Sequence, residues 1–224
     1  MTDLIPYLMI GGFAVLVVVI IVASLIYQKK RREAFEAIAA EFGLEYSPTD
    51  PFGIATVYSA FKRFSVGRRR KASNVMHGEL GGVPLKIFDY QYTTGGGKNS
   101  HTHHATVVLA DTDCRFRYVG IRTEGFFDKM ASAIGFADIE IGVPAFDSTF
   151  RIAAEDPGFA KVLLQTELTD FLLQSLETNI QIEFAGGSVL VHKGRSLKPD
   201  DIGSLVRFLL ELLQKLPDDV PRAA

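Results

Sequence analysis

The hydrophobic positions of this chain fall into three regimes. The first, residues 4–28, is uncharged and broken only by the glycine pair Gly11-Gly12 and by Ser24 before Gln28 closes it. As a helix at about 1.5 Å per residue it reaches roughly 35 Å, enough to cross a hydrocarbon core of about 30 Å with some tilt. A buried core helix would show a polar face, and a cleavable signal peptide would carry a basic segment ahead of its apolar core. Here Asp3 is the only charge before the run. The pattern therefore predicts a single-pass transmembrane anchor, with Tyr7 and Tyr27 near its two ends.

The second regime, residues 33–42, has a helical period, with Phe35, Ile38, Ala39 and Phe42 on one face and Gly43 as its stop. It reads as a juxtamembrane helix continuing the anchor. The third regime mixes strand and helix periods. After the turn-rich Ser47-Pro48-Thr49-Asp50-Pro51, residues 52–66 are ambiguous between helix and strand. Strands are predicted at 74–80 and 83–92 around the tight turn Gly81-Gly82, then at 105–110 and 115–121, forming a meander. Pro84 requires an edge strand or a strand start. A helix carrying Phe126, Phe127, Met130 and Ile134 follows, then short strands at 138–141 and 149–153. Asp156-Pro157 opens a helical stretch, broken near Thr166, that runs to about Ser175. A last hairpin, 179–184 with 188–192 across Ala185-Gly186-Gly187, precedes a helix over 199–216 stopped by Pro217. The class is α+β, and a two-layer sandwich or a split barrel capped by the last helix both fit. The predicted organisation is an anchor at 1–28, a juxtamembrane helix at 29–46, a single domain at 47–217 and a tail at 218–224.

Charge orients this plan. Lys29, Lys30, Arg31 and Arg32 follow the anchor and no cation precedes it, so the positive-inside bias puts the N-terminus outside and the domain in the cytoplasm. The lone Cys114 excludes an intrachain disulfide and agrees with a reducing compartment. The net charge of −2 conceals an asymmetry: over residues 1–71 ten Lys and Arg face six Asp and Glu, and over 72–224 fourteen face twenty. A basic, membrane-proximal part with an acidic remainder argues against a whole-domain nucleic-acid footprint. Lys62-Arg63 and Arg68-Arg69-Arg70-Lys71 concentrate six cations in ten residues. They read as a solvated loop or, more sharply, as a second contact with anionic lipid.

Candidate chemistry is sparse. The loop Gly95-Gly96-Gly97-Lys98-Asn99 lacks the glycine and hydroxyl that a phosphate loop needs, at Tyr92 and Asn99, and it joins two strands. It reads as a flexible hairpin tip available for interaction. His101 and His103 would share one face of an extended segment and, with His104, form a candidate metal site. Asp113 beside Cys114 disfavours the thiolate. There is no nucleophile elbow, no CxxC pair and no nominable acid–base pair, and no cofactor is implied.

The series Asn74-Val75-Met76-His77-Gly78, Phe88-Asp89-Tyr90-Gln91-Tyr92, Gly97-Lys98 and Thr106-Val107-Val108 resembles an uncharacterised bacterial family of membrane-anchored proteins. The resemblance implies a bacterial origin, hence the inner membrane, and brings no activity. The sequence thus predicts a membrane-tethered, non-enzymatic cytoplasmic interaction domain that binds a protein partner or the lipid surface. The alternative is a metal-dependent enzyme built on His101, His103 and His104.

Overall fold

The computed structural model describes residues 4–123, 138–175 and 179–222, with the backbone alone described at 4–11, 14, 138 and 166. The helix expected around Phe126, Phe127, Met130 and Ile134 lies outside the described residues.

Helix α1 (Leu4–Phe42) joins the apolar run to the amphipathic segment without a break. Phe35 and Ala39, one turn apart, are buried against the domain. Gly43, at φ 69°, ends the helix. Its N–H donates to the Ala40 carbonyl at 3.3 Å and the Leu44 N–H to the Ala39 carbonyl at 2.8 Å. Those paired bonds satisfy the orphan carbonyls of the last turn. The membrane prediction is corrected here. Among the described residues no helix is long and apolar enough to cross a membrane. The single transmembrane helix is therefore not a feature of the fold, and the single-pass, inner-membrane placement with the N-terminus outside loses its basis. Helix α1 instead runs without a break through Lys29, Lys30, Arg31 and Arg32 to its buried foot at Phe35 and Ala39.

Among the described residues the rest of the fold is one antiparallel sheet of seven strands with helices packed on it, the α+β class that the sequence predicts. Strand β1 (Glu45–Thr49) pairs with β2 (Arg68–Leu80), and β2 pairs with β3 (Val83–Thr94). Between β1 and β2 lie the short helix α2 (Ile54–Val57) and a 3-10 turn, Lys62–Phe64. Gly81 and Gly82, at φ 61° and 82°, make the tight β2–β3 turn that the sequence predicts. Strand β4 (His101–Thr123) is the axis of the sheet. One edge of β4 pairs with β3 over 101–110 and with β6 (Phe150–Ala154) over 119–123. Along the other edge lies β7 (Gln181–His192). The two-residue β5 (Asp138–Ile139) borders β6.

Two expected breaks are absent. Residues 105–110 and 115–121 belong to one strand, and the polar Asp111-Thr112-Asp113 between them is accommodated by register shifts against β7. Likewise 179–184 and 188–192 do not pair with each other, because both halves pair with β4. Gly186, at φ 58° and opposite Phe116, supplies a bulge where a turn was expected.

Alternation along the strands splits the core between the two faces of the sheet. Ile87, Val108 and Val191 face α1 and the helices α3 (Pro144–Thr149), α4 (Pro157–Leu163), α5 (Thr166–Ser175) and α6 (Pro199–Leu213). Phe88, Tyr90, Tyr92, Val107 and Leu109 face the other way, under Ile54, Phe61 and Phe64. Asp156 caps α4, accepting from the Gly158 and Phe159 N–H groups at 2.8 and 3.1 Å, as Asp-Pro predicts.

Because Phe35 is the buried anchor of α1, Phe35→Ala should lower the unfolding free energy by about 3–5 kcal/mol, read as a lower urea midpoint. An unchanged midpoint would mean that α1 does not belong to the cooperative unit.

Candidate functional site

The position of α1 on the sheet is set by Arg31. Its Nε and one terminal nitrogen each donate to a carboxylate oxygen of Asp89 at 2.6 Å. The guanidinium also reaches the Leu197 carbonyl at 3.0 Å and the Thr106 hydroxyl at 3.2 Å, and it lies over the Phe35 ring at 4.9 Å. Burial works against its charge, yet the hydrogen bonds and charge of Asp89 hold the Arg31 pKa above its ordinary value. Asp89 and Thr106 are register partners on β3 and β4, so they stand side by side beneath the helix. Asn74 completes the set: its amide donates to Asp89 at 2.9 Å and its carbonyl oxygen accepts from Tyr46 at 3.0 Å. Asn74 sits in the left-handed region at φ 50°, within a register shift of β2. Asn, Asp and Thr of the family-like series are thus residues of this network, and Gly78 of the same series packs against Leu44, where a Cβ would lie 2.9 Å from Leu44 Cδ2.

Above the network opens a cleft of about 800 Å³ between α1, β1, β2, β3, β4 and residues 194–196. Arg32, Lys71, Arg195 and His104 line it, and among the described residues Asp89 is the one carboxylate in its wall. Tyr27, Gln28 and Ser24 carry the wall up α1. From Phe13 to Tyr27 that helix exposes its large apolar side chains, Phe13 at 68% and Ile20 at 58%. An exposed apolar surface of this continuity is unusual on a folded domain and marks a contact site.

The predicted residues meet different fates. Of the cations expected at a lipid surface, Arg31 is half-buried in the ion pair with Asp89, Lys29 forms an exposed pair with Glu33 at 3.7 Å, and Lys30 and Arg32 are exposed. Arg68 donates to the Gly95 carbonyl at 2.5 Å, Arg70 donates to the Phe64 carbonyl, and Arg69 sits at φ 52° in an irregular stretch of β2. Lys71 alone of that run lines the cleft. The loop Gly95, Gly96, Gly97, Lys98 and Asn99 is an exposed hairpin tip. Gly95, at φ 72°, is required there because a Cβ would lie 2.1 Å from the Asn99 carbonyl oxygen. His101 and His103 lie opposite Thr94 and Tyr92, and His104, of opposite parity, faces the cleft. Among the described residues no group of three or more His, Cys, Asp or Glu could hold a metal ion. Among the described residues the metal-enzyme alternative therefore finds no ligand set. His103 instead stacks on Tyr92 at 4.8 Å and shares a 2.8 Å hydrogen bond with Thr94. Burial, with Asp113 beside it, raises the Cys114 thiol, in keeping with an inert cysteine.

Sequence reasoning missed a second buried polar group on the opposite face. The Arg63 N–H lies 3.2 and 3.3 Å from the two carboxylate oxygens of Glu183, and the Arg63 guanidinium lies over the Tyr92 ring at 4.9 Å. Burial raises the Glu183 pKa, while the Arg63 and Lys62 backbone N–H groups and the Tyr118 hydroxyl hold it back. His192 is fully buried near this cluster; its Nδ1 accepts the Gly194 N–H at 2.9 Å. Burial, then the charge of Arg63, drives its pKa well below the ordinary 6.5.

That depression has a definite sign. The unfolded chain takes up a proton near pH 6.5 that the folded chain refuses, so stability from a neutral His192 is complete above pH 6.5 and is lost as pH falls below it. The raised Glu183 acts oppositely, favouring the fold at low pH and losing its contribution as pH rises above 4.5. His192→Asn keeps an acceptor for Gly194 without a titrating group. Between pH 7 and about 5 its melting temperature should fall less than that of the wild type; parallel curves would refute the assignment.

The chain matches no protein-family model and no curated protein. Among solved structures it is similar to the crystal structure of the mycobacterial trehalose monomycolate transport factor A, TtfA, at 15% identity and a TM-score of 0.58, covering 83% of this chain and 96% of that one. At that identity the likeness is one of fold: an α+β domain built on a large antiparallel sheet.

Proposed function

We propose that this protein is a non-enzymatic interaction domain whose partner is lipid. The observation that carries the reading is the exposed apolar length of α1 between Phe13 and Tyr27, held out from the domain by a lower half fixed through Phe35, Ala39 and Arg31. Burying such side chains against acyl chains is favourable by about 1.5–3 kcal/mol each. The cations that follow, Lys29, Lys30 and Arg32, stand where an anionic headgroup would meet them, each contributing about 1 kcal/mol at a charged lipid surface. Fold likeness to a transport factor for the lipid trehalose monomycolate supports the same reading without supplying a cargo.

Leu16 and Ile20 lie one turn apart and are 55% and 58% exposed. In flotation of the full chain with neutral phosphatidylcholine vesicles, Leu16→Glu with Ile20→Glu should reduce binding by at least about tenfold. The melting temperature should not move. Undiminished flotation would overturn the reading, and a fallen melting temperature would show that this surface is part of the core.

A further inference from the structure

We infer that the cleft at the foot of the exposed apolar segment is a binding site for the phosphate of a lipid headgroup. The inference rests on the lipid reading of α1 and assigns the polar half of the same ligand. Arg32, Lys71 and Arg195 come from three separate parts of the chain, the helix, strand β2 and the segment after β7, and the fold brings them to one cavity of about 800 Å³. Asp89, the one carboxylate in the wall among the described residues, is already committed to Arg31 through both oxygens. Among the described residues none of the three cations is in an ion pair. Three like charges around a concave surface repel one another and focus their field into it, an arrangement that an anion relieves. Ser73 and Gln91 add neutral hydrogen-bonding groups to the same wall.

What selects a lipid phosphate over a free one is the wall above. Tyr27, Gln28 and Ser24 belong both to the cleft and to α1, and the exposed apolar surface continues from there to Phe13, about 20 Å along the helix axis. A phosphate held by Arg32, Lys71 and Arg195 therefore has an apolar track leading away from it. Such a site suits an amphiphile with an anionic end and an extended chain.

The test is calorimetric titration of the full-length protein with dihexanoyl phosphatidic acid, which is soluble as a monomer, and in parallel with inorganic phosphate. Lys71→Gln with Arg195→Gln removes two exposed cations. It should weaken binding of the short-chain lipid about thirtyfold, about fivefold for each cation, with the melting temperature held. Inorganic phosphate should bind at the same site, more weakly. Equal affinities of wild type and variant for the short-chain lipid would overturn the assignment of the cleft. Equal affinities of the wild type for the lipid and for inorganic phosphate would overturn the headgroup and leave a free-anion site. Loss of vesicle flotation with retained binding of the soluble lipid would remove the lipid-surface reading alone, and the converse would remove the cleft alone.

Discussion

The ion pair between Arg31 and Asp89 is the constraint on which the rest of this structure depends. It takes two charges largely out of water, with side-chain exposures of 11% and 14%, a cost that opposite charge alone does not repay in a low-dielectric setting. Here the cost is offset by filling the remaining hydrogen-bonding positions: Leu197 and Thr106 take further guanidinium donors, and Asn74 and Thr106 donate to the carboxylate. Thr106 also accepts the Leu197 N–H at 2.9 Å, so the segment after β7 is tied to the same point. A planar, forked donor suits this site, and lysine would not replace it.

From that point two consequences follow in space. Below Arg31, the helix is committed to the core through Phe35 and Ala39. Above it, the helix leaves the sheet and carries its apolar side chains clear of the domain. The cleft occupies the angle between the two, and its cations are not neutralised because the acid in its wall has already been used. Positioning and charge in the proposed lipid site thus have one origin. The buried cluster of Arg63, Glu183, Tyr118 and His192 lies on the other face of the sheet and is structural: Glu183 of β7 meets the Arg63 and Lys62 backbone N–H groups and the Tyr118 hydroxyl of β4, which fixes the 3-10 turn of Lys62–Phe64 to β4 and β7.

Much of the fold was legible where local chemistry is strong. Gly81-Gly82 announced its hairpin, Asp156-Pro157 its helix and Gly43 the end of α1. Where tertiary pairing overrides local signals, the reading failed. Ala185-Gly186-Gly187 has turn composition, yet β4 pairs with both flanks, and the glycine absorbs a bulge instead. Asp111-Thr112-Asp113 likewise resembles a loop inside a continuous strand. The apolar run of α1 shows the limit of composition: a sequence window of 4–28 suggests a separate span, while the helix continues unbroken through four cations into a folded core. Within the site, Arg31 was indistinguishable from its three cationic neighbours, because only the register of α1 against β3 selects it. A signal did exist at its partner, since an acid between Phe88 and Tyr90 in a strand otherwise fit for burial calls for a buried cation. The three histidines were grouped by proximity in sequence; strand alternation keeps His101 and His103 on one face and puts His104 on the other, toward the cleft.

A double-mutant cycle on Arg31→Met and Asp89→Leu, measured by urea unfolding, tests this account most directly. Each single change strands its partner's charge and should cost about 3–5 kcal/mol, while the double change should cost no more than one of them, giving a coupling of about 3 kcal/mol or more. Additivity within about 0.5 kcal/mol would contradict the central place given to this pair, because the helix would then be held to the sheet by its apolar contacts alone.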